Sequence, residues 1–144
     1  MASYGGRGGL SWWQLKLEAV RHYPFCLALE NTNWPYYCTE KIWHSIVAGS
    51  LPIYWGTGNR IYDTFPPESF LDMAAYRSYD DLYDHIERMT DEEYGVRYNR
   101  CVDAFNAAQE VRRASKMSEQ REHIRRILAR IWPEHGAAGR LVKT

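Results

Sequence analysis

An α/β fold built on a parallel sheet with flanking helices is what this 144-residue sequence predicts, and three features carry the expectation. Phe25 to Leu29 (FCLAL) is an unbroken apolar run of strand length, the pattern of a strand covered on both faces in a parallel sheet. Leu51 to Trp55 (LPIYW) repeats it. Between them, Thr39 to Ala48 (TEKIWHSIVA) sets Ile42, Ile46 and Val47 on one helical face and runs into Gly49, a helix stop. Strand, helix, strand in this order is a parallel crossover, and such crossovers are right-handed.

The remaining elements follow in chain order. Met1 to Gly9 (MASYGGRGG) is Gly-rich and reads as a flexible lead-in. A short helix from Ser11 to Tyr23 carries Trp12, Trp13, Leu15, Leu17 and Val20, and Pro24 closes this first segment, 1–24. Glu30 to Tyr37 (ENTNWPYY) is a polar, turn-forming, aromatic loop at the carboxyl end of the first strand. Gly56-Thr57-Gly58-Asn59 is a turn after the second, and Ser69 to Met73 (SFLDM), preceded by Pro66-Pro67, is a third short strand. Ser78 caps a helix with Leu82, Tyr83, Ile86 and Met89. Thr90 and Glu93 have the spacing of a capping box for another, which presents Tyr94, Tyr98, Cys101, Val102 and Phe105 and is weakened at Gly95 by about 1 kcal/mol. A last helix, Ser118 to Trp132, stripes Ile124, Ile127, Leu128 and Ile131 among arginines and stops at Pro133. The expected domain is 25–110, with 111–144 a basic helical tail.

Composition narrows the function classes. With 45% hydrophobic and 15% aromatic residues the chain can bury a core, which excludes a disordered protein. Eighteen basic and 18 acidic side chains cancel, which argues against nucleic acid as a partner. The cancellation hides a gradient: residues 61–110 hold 12 acidic against 4 basic side chains, and residues 111–144 hold 9 basic against 3 acidic. The basic tail reads either as a peripheral membrane-surface helix or as a solvated one. No apolar run nears the roughly 20 residues of a membrane span, so no anchor is expected in this chain. Cys26, Cys38 and Cys101 lack CxxC spacing and the five histidines lack metal-ligand spacing, so no metal site is expected.

The densest chemistry lies in Glu30 to Lys41. Open α/β sheets bind ligands outside the carboxyl ends of their strands, where this loop is placed. A helix starting near Thr39 offers free backbone N–H groups, and Lys41 adds a full positive charge, a pairing suited to a diphosphate. Lys41 with Glu40 is equally readable as a surface ion pair. Glu30 and Asn31 suit ligand hydroxyls or simply a turn, and Tyr36 and Tyr37 suit stacking on a ring or covering the core. There is no GxxxxGK[ST], GxGxxG or GxSxG motif, and the carboxylates from Asp80 to Glu93 have the spacing of solvated helix faces.

Taken together, Leu29-Glu30-Asn31-Thr32, Tyr36-Tyr37-Cys38-Thr39-Glu40-Lys41, Pro52-Ile53-Tyr54-Trp55-Gly56 and Pro66-Pro67-Glu68-Ser69-Phe70-Leu71 resemble, in order, the motifs of the α1,3/4-fucosyltransferases. The resemblance covers about residues 23–105, and Ser3-Tyr4-Gly5 is similar to a segment that precedes the donor domain in that family. It implies a Rossmann-like domain, the donor-binding half of a GT-B glycosyltransferase, holding GDP-fucose as donor substrate and needing no resident cofactor. It assigns donor contacts to Asn31, Tyr37, Glu40 and Lys41: the diphosphate to Lys41, ribose or fucose hydroxyls to Glu40, and the rest of the nucleotide sugar to Tyr37 and Asn31. Glu30 it leaves structural. The intact enzyme would transfer L-fucose with inversion to a hydroxyl of N-acetylglucosamine in a glycan. The catalytic base belongs to an N-terminal acceptor domain that this chain lacks, and so does a further arginine, for which Arg7 and Arg21 are weak substitutes. Eukaryotic members work in the Golgi lumen and bacterial ones in the cytoplasm. Three positions depart from the pattern: Tyr36 stands for Asp, Leu29 for Phe and Cys38 for Val or Ile. A non-catalytic nucleotide-sugar module or a truncated gene product lacking the acceptor domain, and a GT-B enzyme with another donor, are the alternatives.

Overall fold

The computed structural model describes residues 11–131; the Gly-rich lead-in and the predicted stop at Trp132-Pro133 with the rest of the tail lie outside them. Seven regular elements follow in order: α1 (Trp12–Val20), β1 (Phe25–Leu29), α2 (Lys41–Val47), β2 (Leu51–Trp55), β3 (Leu71–Asp72), α3 (Tyr79–Arg88) and α4 (Asp91–Ile131). The strands form one parallel sheet in the order β1-β2-β3, with Leu27 opposite Ile53 and Ile53 opposite Leu71. The α/β reading, with its parallel sheet and flanking helices, is therefore correct.

Local chemistry sets the element ends. Ser11 and Gln14 cap α1 reciprocally through a capping box. α2 ends in a Schellman motif, Gly49 N–H donating to Ile46 O and Ser50 N–H to Ser45 O. The buried Ser50 hydroxyl donates to Tyr23 O at 2.7 Å, which fixes the entry of the chain into the sheet. Ser78 accepts from Asp81 N–H and caps α3. The Thr90 box forms only by half: Thr90 accepts from Glu93 N–H, while the Glu93 carboxylate turns to Arg97 and His85, whose charge and ring N–H are the stronger donors.

Strand alternation divides the core between the two sheet faces. Ala28 and Tyr54 point to one face, where Ile42 and Ile46 of α2 pack with Ile61, Phe65, Phe70 and Cys101. Leu51, Ile53 and Leu71 point to the other and meet Leu82 of α3, flanked by Phe25, Tyr94 and Tyr98. Burying each such aliphatic side chain contributes roughly 1.5–3 kcal/mol.

Three expectations need correction. β1 is not covered on both faces: Leu27 is 64% and Leu29 36% exposed, because the α3 and α4 side chains reach Phe25 at the amino end of the strand and leave its carboxyl half open. β3 holds only Leu71–Asp72 rather than all of Ser69 to Met73, since Met73 already begins a 3₁₀ turn capped by the Asp72 carboxylate. The two helices expected after Thr90 are one, α4, of 41 residues. Nothing between Asn106 and Met117 breaks a helix, and Gly95 is carried inside it.

The chain divides within α4 into two compact units, Met1–Asn106 and Ala107–Thr144. In the second unit every residue from Glu110 to Arg130 is exposed. No helix among the described residues is long and apolar enough to cross a membrane.

Candidate functional site

The site grows from the carboxyl end of β1. Glu30 N–H donates to Trp55 O, extending the ladder by one residue and turning the Glu30 side chain under the loop, where the residue is 4% exposed. A carboxylate is buried at tolerable cost only when its oxygens are filled. Here Thr39 N–H (2.9 Å) and the Tyr54 hydroxyl (3.2 Å) donate to Oε1, and the Thr39 hydroxyl (2.7 Å) donates to Oε2, with the Lys41 ammonium 3.7 Å away. Tyr54 OH also lies 3.8 Å from Cys38 Sγ, but its one proton goes to the carboxylate, the stronger acceptor. Burial raises the pKa of the Tyr54 phenol and of the Cys38 thiol, so both stay neutral at physiological pH.

This anchoring explains where α2 begins. Thr39 turns both its N–H and its hydroxyl to Glu30, which holds it outside the helix; Glu40 is the cap residue and Lys41 the first helical residue, two later than the sequence suggested. The resulting helix has seven residues and no side-chain cap bond, too short for its dipole to define an anion site. What remains of the diphosphate argument is the Lys41 charge itself.

Lys41 Nζ donates to Leu29 O at 2.7 Å and to Asn31 Oδ1 at 2.9 Å. These bonds account for a cation in a first helical turn: it closes the end of β1, which has run out of ladder partners, and it faces Glu30 rather than Glu40. Because Asn31 gives its oxygen to Lys41, its amide N–H groups are turned away as donors. Of the predicted residues, the structure thus brings Asn31 and Lys41 into direct contact. Tyr37, 36% exposed, and the exposed Glu40 stand on the same loop, joined to neither by a hydrogen bond among the described residues. Tyr36 is 76% exposed, and neither tyrosine belongs to the core clusters. Glu30, readable from sequence as a ligand for hydroxyls, is an internal strut.

A second segment takes part that sequence reasoning marked only as a turn. Gly56 has φ +128, and a Cβ there would stand 2.9 Å from Glu30 Cγ, so no other residue fits over the buried carboxylate. Gly58 N–H donates to Asn33 Oδ1 at 2.7 Å, an approach that a Cβ would close off at 2.6 Å. Beside them the buried Asn59 amide donates to Tyr54 OH at 2.6 Å. The only signal for this in the sequence is the Gly-x-Gly-Asn spacing, which many unrelated turns share.

Other reactive groups lie elsewhere. Cys101 is buried under α2 and its thiol is pushed up to about 12, which leaves it unreactive. Tyr76 OH, His85 and Glu93 form a chain of hydrogen bonds at 2.6 and 3.1 Å that ties α3 to α4. Arg21, one of the two substitute arginines, pairs with Glu18 on the surface of α1, and Arg7 lies outside the described residues. No group of three metal-ligating side chains comes together among the described residues.

Comparisons with known proteins agree with one another. The family model described as "Glycosyltransferase family 10 (fucosyltransferase) C-term" matches residues 4–129. The chain is 37% identical over 81 residues to an alpha-(1,4)-fucosyltransferase of Arabidopsis thaliana, an alignment covering 56% of this chain and 20% of that protein. It is 36% identical over 72 residues to the alpha-(1,3)-fucosyltransferase FucT of Helicobacter pylori, covering 50% and 15% respectively. Against the human 4-galactosyl-N-acetylglucosaminide 3-alpha-L-fucosyltransferase FUT6 it is 32% identical over 75 residues, covering 51% and 21%. The chain thus spans about a fifth or less of the length of these relatives.

Proposed function

From the premise that the chain belongs to glycosyltransferase family 10, the fucosyltransferases, we propose that residues 25–110 bind GDP-fucose as the donor-side domain of a GT-B enzyme. The whole enzyme would transfer L-fucose with inversion to a hydroxyl of an N-acetylglucosamine-containing glycan. One observation carries the reading: the Lys41 ammonium stands at the open carboxyl end of β1, held there by Leu29 O and Asn31, within the stretch that the family model matches. A cation prepositioned by strand-end carbonyl and amide oxygens costs little to reorganise when a diphosphate arrives, and it stabilises the charge that develops as the diphosphate leaves.

In this reading Lys41 meets the diphosphate and Asn31 offers its free amide N–H groups. Glu40, exposed and with no side-chain hydrogen bond among the described residues, accepts from ribose or fucose hydroxyls, and Tyr37 lies against the nucleotide sugar. The base that takes the acceptor proton would come from an acceptor domain, as would the glycan subsite. The compartment would follow the source: Golgi lumen in a eukaryote, cytoplasm in a bacterium.

Calorimetric titration of the chain with GDP-fucose, GDP and UDP-sugars tests the proposal. Binding of GDP-fucose and GDP with at least tenfold preference over UDP-sugars is expected, and so is loss of that binding in Lys41→Ala. Unchanged affinity in Lys41→Ala would remove the site assignment. Preference for a UDP-sugar would point to another donor, and binding without transfer to any acceptor would mark the isolated chain as a binding module.

A further inference from the structure

The loop that carries Tyr37 and leads into Lys41 is fastened at both ends, and only one fastening belongs to its own strand. Near Lys41 the fastening is Glu30. Near Tyr37 it is the turn after β2. Asn59, 3% exposed, donates from Nδ2 to Tyr37 O at 2.6 Å and to Tyr54 OH at 2.6 Å, and its Oδ1 accepts from Ile61 N–H at 3.0 Å. Tyr37 O is solely an acceptor, so the amide nitrogen must face it, and every polar atom of the Asn59 side chain is then used. Tyr36 N–H donates back to Asn59 O at 3.3 Å.

One residue further on, Arg60 Nη1 donates to Tyr36 OH at 2.6 Å while Nη2 pairs with Asp63 at 2.7 Å, and its guanidinium carbon lies 5.2 Å from the centre of the Tyr36 ring. Tyr36 and Arg60 both hold left-handed backbone, φ 65 and 71, a conformation that side chains larger than glycine or asparagine adopt only when neighbours over-determine it. The two left-handed residues bond each other across the two loops.

We propose that Asn59 is a positioning residue for the donor site, setting Tyr37 through its carbonyl, with Arg60 holding Tyr36 as the outer half of the same clasp. The inference rests on the reading of Tyr37 and Lys41 as donor contacts. Since Tyr54 joins Asn59 to Glu30, both fastenings draw on one buried network anchored in β2, and displacement of Asn59 moves Tyr37 while leaving α2 and the sheet in place.

Hydrogen exchange and GDP titration on the 144-residue chain test this together. Asn59→Ala should raise amide exchange in residues 31–40 by about tenfold, with exchange in β2 and α2 unchanged, and weaken GDP by about tenfold. In a Tyr37→Ala background the same substitution should cost less affinity than in the wild type, because much of its effect passes through the Tyr37 side chain. Arg60→Ala alters an exposed residue and keeps the fold if Asn59→Ala does not; it should raise exchange at Tyr36 alone. Unchanged exchange in 31–40, or losses that add in the double variant, would overturn the proposal. Exchange that responds as expected in a chain whose wild type does not bind GDP would instead overturn the donor reading and leave the hold of Asn59 on Tyr37 standing.

Discussion

Two stretches of this chain are rich in exposed side chains and differ in what stands behind them. Residues 31–40 expose Trp34, Tyr36, Tyr37 and Glu40 over a buried network of Glu30, Tyr54 and Asn59 in which each polar side-chain atom has a partner. Residues 110–130 expose Val111, Met117, Ile124, Ile127 and Leu128 along a helix whose side-chain bonding is local, as in the Arg126–Glu122 pair four residues apart at 3.1 Å. Exposure alone therefore says little about constraint. In the loop, geometry is set from below by hydrogen bonds that water cannot replace; in the helix, each residue is held by backbone bonds that any good helix former supplies. Functional precision belongs with the first arrangement.

The largest expected effect breaks the first region at its strut. Glu30→Ala leaves Thr39 and Tyr54 without their acceptor and Lys41 without its nearest carboxylate, and should cost about 3 kcal/mol, read as a lower urea midpoint at constant slope. A loss under about 0.5 kcal/mol, the range of ordinary surface changes, would mean that the network constrains nothing. Tyr54→Phe is gentler. It keeps the ring against Phe70 and removes only the hydroxyl between Asn59 and Glu30, for about 1 kcal/mol, while raising exchange in residues 31–40.

A third test reaches the far side of the sheet and depends on pH. The Arg97 guanidinium, and after it the His85 ring, hold the Glu93 carboxyl below its usual value. A carboxylate with a lowered folded pKa contributes stability that is present above its unfolded value, near 4.3, and is lost as pH falls through the folded one. Glu93→Gln should therefore lower the urea midpoint at pH 6, and its difference from the wild type should shrink as pH falls below the usual carboxyl range. A difference that does not change with pH would show that packing, not charge, is responsible. The Glu93 side chain is 38% exposed and so partly screened by solvent, and the effect should be smaller than that of Tyr54→Phe.

What the sequence disclosed follows from how local each cause is. Apolar runs and caps are local, and FCLAL, LPIYW, Ser11 and Ser78 mark their elements to within a residue or two. Lys41 and Asn31 stood out because motif order places them at a strand end, and the structure joins them. The start of α2 was misplaced because Thr39 is claimed by Glu30, nine residues earlier, a competition that helix signals do not express. Asn59 was invisible for the same reason, its partners lying 22 and 5 residues away. The open face at Leu27 and Leu29 was missed because an apolar run reports what a strand is able to bury, not what covers it.

The smallest effect belongs to the second region. Ile124→Ser replaces a half-exposed residue on a helix where nothing from Glu110 to Arg130 is buried, so no cavity forms and no polar group is stranded. The two residues have similar helix propensity, so the change in stability should stay within about 0.5 kcal/mol. Donor affinity should not change, since the proposed donor contacts are Asn31, Tyr37, Glu40 and Lys41, none of them in this helix. Thermal unfolding and GDP titration of this variant therefore set the contrast at its sharpest: a polar side chain enters the apolar stripe without consequence, whereas loss of one buried carboxylate at Glu30 dismantles the loop. A loss above 1 kcal/mol for Ile124→Ser that grows with protein concentration would show that a second copy covers the stripe in solution, and would make exposure along this helix a property of the single chain only.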